Sequence, residues 1–440
     1  MTVRTRYEAG RVIWFAVALL AFGCQRKSIP VVEPLPPSPV VMRLPDLPDD
    51  SLYAGLISSE QVFAFYHGVS FALQWSGDHG LQDSLLKMLH DARAYGLEPQ
   101  HYHVDTLRDS ALAPFRREVL LTDAFLAFGH DLRYGHQDKL VYPEADSVRR
   151  EVLRRALTEG RLRVHLESLE PPFEGYRQLR RAWGQLVDTE AESPEQWRAV
   201  QINLDRWRME RKPWGMRYLL VQVPSFMLYL VDGDSVILSS RVVVGEPETP
   251  TPELTSTVTR VVTYPYWHVP RKIAIKEYLP AIQQDVSVVE QNNFEVLNRD
   301  GKVLHPDSVD WASFNSNYFP VSLRQKEGHE NALGIIKFEF RNPYGVFLHD
   351  TNARRLFRES VRAFSHGCIR MEKAEALAHY LVTGSLDKKS SQLTKYLAQK
   401  EKHVISVSAP IPVYVRYFTA EARDGELRFY ADLYSKDGPR

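Results

Sequence analysis

From residue 51 to about residue 198, apolar positions recur every three to four residues, the spacing of one face of a helix. Residues 61–69 show it first. Residues 81–95 repeat it, with Leu81, Leu85, Leu86, Leu89 and Ala92 on one face. Gly96 stops that helix and Pro99 follows, as expected just past a helix end. Residues 122–132 and 147–157 carry the same pattern, and residues 203–208 read as a connecting helix. Met, Phe and Tyr on these faces are core residues. At Arg217 the period shortens to that of strands. Residues 218–223 and 226–231 flank Pro224-Ser225, and the turn Asp232-Gly233-Asp234 leads into a strand over 236–244. Residues 337–340 and 345–349 are two further strands, and a helix starts near Glu372. Residues 411–436, divided by Asp424-Gly425, read as a hairpin. The pattern predicts an α+β, multidomain chain. A helical domain spans 51–198, a connecting helix 199–216, a mostly-β domain 217–405 and a terminal hairpin 406–440. A polar insert over 271–333 interrupts the β domain, and its length and placement suit a lid.

The first 24 residues change the picture of where this chain works. Arg4, Arg6 and Arg11 precede an apolar run over 12–22, followed by Gly23 and Cys24. That run is shorter than the ~20 residues a membrane-crossing helix needs, and it reads as a secretory signal. A small residue followed by Cys resembles a bacterial lipoprotein box, although Ala21 and Phe22 stand where Leu and a small residue are usual. Cys24 is therefore expected to carry lipid, with simple cleavage as the alternative. By analogy with lipoprotein sorting, Gln25 favours the outer membrane and a periplasmic location. Residues 25–50 hold seven prolines, which makes them an extended spacer of ~3.1 Å per residue.

Composition mostly excludes. Lys+Arg and Asp+Glu are both 55 of 440 residues, so no basic surface for nucleic acid is implied. Two isolated cysteines do not make a zinc site. His101 and His103 are read as surface residues, and no metal or cofactor is expected. Cys24 and Cys368 are the two cysteines.

Cys368 has the most telling surroundings. It lies in Ser365-His366-Gly367-Cys368-Ile369-Arg370, and His349 stands 19 residues upstream (368 − 349) in Leu348-His349-Asp350-Thr351. A thiol becomes a nucleophile when an imidazole takes its proton, and a third group must hold that imidazole in one tautomer. Gly367 allows a tight turn that frees N–H groups for a developing oxyanion. An arbitrary Cys and His would be read as buried core residues, but the motif context argues otherwise.

That context resembles the signature of the L,D-transpeptidase (YkuD) catalytic domain: a histidine, some fifteen residues, then [S/T]-H-G-C-x-R. Asn331-Ala332-Leu333-Gly334 with Lys337-Phe338, Pro265 to Pro270, and Thr251-Pro252 resemble further motifs of the YcbB-like branch. Tyr95-Gly96-Leu97-Glu98-Pro99, Asp131 to Gly135, and Tyr176 to Leu179 resemble its helical scaffold domain. Many relatives carry a peptidoglycan-binding repeat after that scaffold; here only about residues 184–195 occupy its place. The resemblance implies a YkuD β-sandwich and a peptidoglycan L,D-transpeptidase. Cys368 would attack the third residue of a tetrapeptide stem, expel D-Ala, and pass the acyl group to a diamino acid, giving a 3→3 cross-link. His349 would be the base, oriented by the backbone carbonyl of Asp350, with N–H groups near Gly367 and Cys368 as oxyanion donors and His366 in support. Arg370 would meet a stem carboxylate. Phe347 replaces a tyrosine of some relatives, and Ser365 and Trp267 complete the expected substrate contacts, with a core anchor as the alternative for Trp267. Carbapenems are expected inhibitors. Release of the acyl group to water, as an L,D-carboxypeptidase or hydrolase, is the nearest rival. A non-catalytic wall-binding lipoprotein is the rival of another class.

Overall fold

The computed structural model describes residues 42–44, 50–136, 143–187, 189, 193–210 and 212–438. The expected signal segment, Cys24 and most of the proline-rich spacer lie outside them. Arg43–Arg440 form one compact unit.

The N-terminal half is helical because its apolar residues can all reach one long central helix. That helix, Pro114–Tyr134, starts with proline, whose missing N–H costs nothing there. Almost every side chain from Glu118 to Leu132 is buried, so neighbours cover it all round. The helices Ser59–Gly68, His79–His90, Pro143–Glu159 and Leu162–Glu167 supply that cover. A buried carboxylate on it, Asp123, ties down the chain before it. Asp123 accepts from the Ile57 and Ser58 N–H groups at 2.8 and 2.7 Å, satisfying donors at the start of the Ser59–Gly68 helix. It also meets His103 at 2.7 Å, so His103 is held inside the fold rather than displayed on its surface. His101 stacks on His136, ring centroids 3.9 Å apart.

Two more helices, Glu174–Val187 and Pro194–Arg208, join this half to the next. Ser193, Pro194 and Gln196 form a capping box at the start of the second. Near its end, fully buried Arg208 bonds Asp205, the Tyr95 carbonyl and the Tyr176 hydroxyl at 2.9, 2.6 and 3.1 Å. Trp207 stacks on Phe418 at 4.3 Å, within a cluster that draws on both halves.

The second half is mostly β. Its strands are β1 (Arg217–Gln222), β2 (Met227–Asp232), β3 (Ser235–Gly245), β4 (Leu254–Thr263), β5 (Trp267–His268), β6 (Phe294–Leu297), β7 (Val303–Leu304), β8 (Ser322–Gln325), β9 (Ile336–Phe340), β10 (Leu348–His349), β11 (Ala363–Ser365), β12 (Ile369–Met371), β13 (His403–Arg416), β14 (Ala420–Arg423) and β15 (Glu426–Phe429). Nine of them form one ladder, β11-β3-β12-β10-β9-β4-β13-β1-β2, and β2 also pairs with β3. That extra pairing closes the eight strands from β3 round to β2 into a ring and leaves β11 at its margin, paired with β3. Leu219, Val242, Leu348 and Val413 fill the interior at 0% exposure, each worth roughly 1.5–3 kcal/mol relative to an exposed position.

Three stretches differ from the sequence expectation. The segment 411–416 does not pair with 427–433. It is the end of β13, which runs between β1 and β4 in the large sheet, where its alternate residues find a core that a lone hairpin lacks. The hairpin at Asp424-Gly425 is β14–β15, so a boundary at 405/406 falls inside β13. Of residues 345–349, only Leu348 and His349 join the ladder. Asn342 curls the chain before them, accepting from the Tyr344 and Val346 N–H groups at 3.1 Å. The insert, finally, is a folded subdomain. It has its own sheet, β5-β8-β6-β7, and its own core around Ile282, Phe294, Val296 and Trp311. Trp267 packs there, near Tyr278 and Phe294, in the role of an anchor rather than a groove wall.

Candidate active site

The register of three adjacent strands builds the site. His349 on β10 stands opposite Lys337 on antiparallel β9 and opposite Arg370 on parallel β12. Residues opposite one another in a sheet share a face, so an imidazole sits in a row between two cations. His349 is 3% exposed. Burial, then Arg370, then Lys337 push its titration down to about 3, against the hydrogen bond to Asp350. The ring is therefore neutral at pH 7. Its Nδ1–H donates to the Asp350 carbonyl, which leaves Nε2 with a lone pair.

Asp350 is itself clamped. Its carboxylate accepts from the Ile335 N–H at 3.1 Å and from Arg354 at 3.0 Å. The turn Asn331–Gly334 makes room for it: a Cβ on Gly334, at φ +62, would lie 2.4 Å from Asp350 Oδ2. That is a physical reason for the glycine of the Asn331-Ala-Leu-Gly334 motif.

The nucleophile loop runs from β11 to β12. Gly367 adopts φ +105, a conformation that strains any residue with a side chain. Ser365 is 2% exposed; its Oγ donates to the Cys368 carbonyl at 2.5 Å and accepts from the Gly367 N–H at 3.1 Å. It braces the loop from within, so it is a positioning residue and not the substrate contact its place in the motif suggested. The Gly367 N–H is thereby spent. Among the described residues the Cys368 N–H has no acceptor, which makes it the available oxyanion donor.

Sequence reasoning missed a second brace. Thr251 Oγ1 donates to the Gly367 carbonyl and accepts from the Gly245 N–H, both at 2.9 Å. The Tyr434 hydroxyl donates to the Gly245 carbonyl at 2.6 Å and accepts from the Thr251 N–H at 3.2 Å. Thr251-Pro252 signalled its end of this chain of bonds; nothing near Tyr434 signalled the other.

Cys368 is half-buried. Burial pushes its thiol up, opposed by the Phe347 N–H, Lys337 and Arg370. Sγ rests 4.0 Å from the Gly345 carbonyl and makes no hydrogen bond to His349 among the described residues. Thiol and imidazole are thus both neutral at pH 7, and the sulfur is turned toward Gly345. Phe347 lends its N–H to the sulfur and its ring to Lys337, whose Nζ lies 4.1 Å from the ring centroid. Arg370 is half-buried, close enough to feel Cys368 and Tyr278, and among the described residues it forms no salt bridge. His366 Nε2 meets Glu277 of the insert at 2.7 Å. Among the described residues no cluster of three His, Cys, Asp or Glu is placed to hold a metal ion.

A neutral pair has a measurable signature. Alkylation of Cys368 by iodoacetamide, followed by peptide mapping, should speed up about tenfold per pH unit from pH 6 to 9, since only the thiolate reacts. A preformed thiolate–imidazolium pair would instead give a plateau by pH 7.

Comparison with known proteins fits this geometry. Residues 216–396 match the family model described as the L,D-transpeptidase catalytic domain (YkuD), and residues 60–182 match that of the Scaffold domain. A Haemophilus influenzae protein named "Putative L,D-transpeptidase" is 32% identical over 296 residues, which cover 67% of this chain. The chain spans about three-fifths (59%) of that relative's length. Among solved structures, an L,D-transpeptidase from Mycobacterium smegmatis aligns at 13% identity with a TM-score of 0.22, covering 46% of this chain and 58% of that one. The Ldtfm-avibactam carbamoyl enzyme aligns at 14% identity with a TM-score of 0.20, covering 46% and 49%.

Proposed function

We propose, from the premise that this chain carries an L,D-transpeptidase catalytic domain of the YkuD family and a Scaffold domain, that it forms 3→3 cross-links in peptidoglycan through an acyl-enzyme on Cys368. The observation that carries this reading is Arg370, a half-buried guanidinium without a carboxylate partner among the described residues, beside the sulfur. A half-buried cation calls for an anion. A tetrapeptide stem offers carboxylates on both sides of its last peptide bond, and Lys337, paired with Glu339 at 3.4 Å, stands on the other side of His349.

The sulfur first leaves the Gly345 carbonyl and turns toward Nε2 of His349. As Sγ attacks the carbonyl of the third residue, Nε2 takes the thiol proton. The carbonyl electrons move to an oxyanion held by the Cys368 N–H. Collapse breaks the peptide bond, and the imidazolium protonates the departing D-Ala amine. The side-chain amine of a diamino acid then attacks the thioester, gives up a proton to His349, and releases the thiol. Charge on the imidazole is transient, as its place between two cations requires. In this reading Asp350 acts through its backbone carbonyl, and the Glu277–His366 bridge holds the insert over the nucleophile loop. We further propose that Cys24 is lipidated and tethers the enzyme to the periplasmic face of the outer membrane.

The test is to incubate the full-length protein with purified tetrapeptide muropeptides. Cross-linked dimers with loss of D-Ala are expected. Tripeptides alone would assign the enzyme to hydrolysis. No turnover, together with no acylation by a carbapenem, would leave a wall-binding protein without chemistry.

A further inference from the structure

A second concavity of about 530 Å³ lies between the two halves of the molecule, walled by the start of the Glu174–Val187 helix, by β1 to β3 and by the β14–β15 hairpin. Its size suits a small organic ligand. Its floor is aromatic: Trp207, Tyr229 and Phe418 are nearly or fully buried there, and Tyr218 is half-exposed in its wall. Tyr218 touches Trp214 and Tyr414 in edge-on contacts, centroids 5.2 and 5.8 Å apart. The Arg423 guanidinium already covers the Tyr229 ring at 4.0 Å.

The polar groups are the second observation. Among the described residues the Tyr218 hydroxyl, the Gln178 amide and the Asp234 carboxylate make no hydrogen bond or ion pair to protein. Gln178 and Asp234 are exposed at the rim. The lining carries four carboxylates, on Glu174, Asp234, Glu421 and Asp424, of which Glu174 pairs with Arg177 at 2.8 Å, against the one guanidinium of Arg423. That balance repels phosphates, nucleic acid and anionic lipid. The half-exposed Tyr218 ring, edged by an open amide, hydroxyl and carboxylate, suits a chain that is apolar on its ring faces and hydroxylated at its rims.

We propose that this groove binds the N-acetylated glycan strand of the cell wall, as an accessory site separate from the nucleophile. The proposal rests on the reading that the substrate is peptidoglycan. Strand β3 connects the two places. Ser235–Ser239 line the groove, and Gly245 supports the nucleophile loop through Thr251. Six to ten residue steps along a strand span about 20–33 Å. A fully extended four-residue stem spans at most ~14 Å. A sugar in the groove therefore cannot present its own stem to Cys368. Other stems on the same strand are delivered instead, by raising their effective concentration.

Binding of peptide-free, N-acetylated glycan strands to the full-length protein, measured by calorimetry, tests this. Saturable binding is expected. Tyr218→Ala should weaken it about tenfold, and Gln178→Ala, at an exposed position that cannot compromise folding, about threefold. Both variants should raise KM for polymeric wall while leaving kcat and carbapenem acylation unchanged. Absence of saturable binding, strand affinities unchanged in both variants, or binding of polylysine in place of glycan would overturn the proposal. Carbapenem acylation reports on the transpeptidase reading separately, because that small molecule does not need the groove.

Discussion

On the proposed mechanism a carbapenem acylates this protein, and Cys368→Ala should abolish that adduct, which intact-mass spectrometry would show as a missing mass increment. The effect is all or none because no other group near the loop can replace the sulfur. His366 faces Glu277, and Ser365 is buried with its hydroxyl committed to the loop. The substitution removes one half-buried sulfur and keeps the backbone, so the braces from Ser365 and Thr251 persist. The thermal midpoint should stay within a few degrees, since so small a truncation costs about 1 kcal/mol or less. An adduct that survives in the variant, mapped by peptide analysis, would show that the nucleophile lies elsewhere.

His349→Ala slows acylation about 100-fold or more, the usual worth of a positioned acid–base group. His366→Ala serves as the control and should leave the acylation rate within about threefold, since its ring is directed to the insert. If the two variants exchange these outcomes, the base is His366. A second readout comes from acid stability. The folded protein holds His349 neutral down to about pH 3, whereas an unfolded chain protonates it near its ordinary 6.5. Below pH 6.5 the unfolded state therefore binds the extra proton, and stability falls as pH drops toward 3. The contribution is fully present above pH 6.5. In His349→Ala this part of the acid slope disappears, which urea titrations at pH 7 and pH 4 would resolve.

The chemistry was more legible in the sequence than the architecture. Cys368, His349 and Arg370 sit in a short, ordered pattern, and strand register brings the last two side by side. The helical and strand halves were also visible, because amphipathic period is a local property. What stayed hidden was set by partners far along the chain. Tyr434 reaches Gly245 across 189 positions, and no pattern of period two or 3.6 encodes such a bond. Ser365 looked like a ligand contact since it adjoins the nucleophile, but its hydroxyl closes a loop three residues long. Trp267 could have lined a groove or anchored a core; only the folding of residues 271–333 around their own cluster decided it. Residues 411–416 looked like half of a hairpin because Asp424-Gly425 is a strong turn signal. The signal was real, and it belonged to the shorter strands beside it.

The placement of β13 has a consequence for biogenesis. This strand is the bridge between β1 and β4, yet it leaves the ribosome more than a hundred residues after either of them. Until residue 416 emerges, two long edges lined with valine and leucine wait without a neighbour, and each can pair with any passing strand. A polypeptide stalled near residue 400 is thus open along both of those edges, and its tendency to aggregate falls only when β13 closes them.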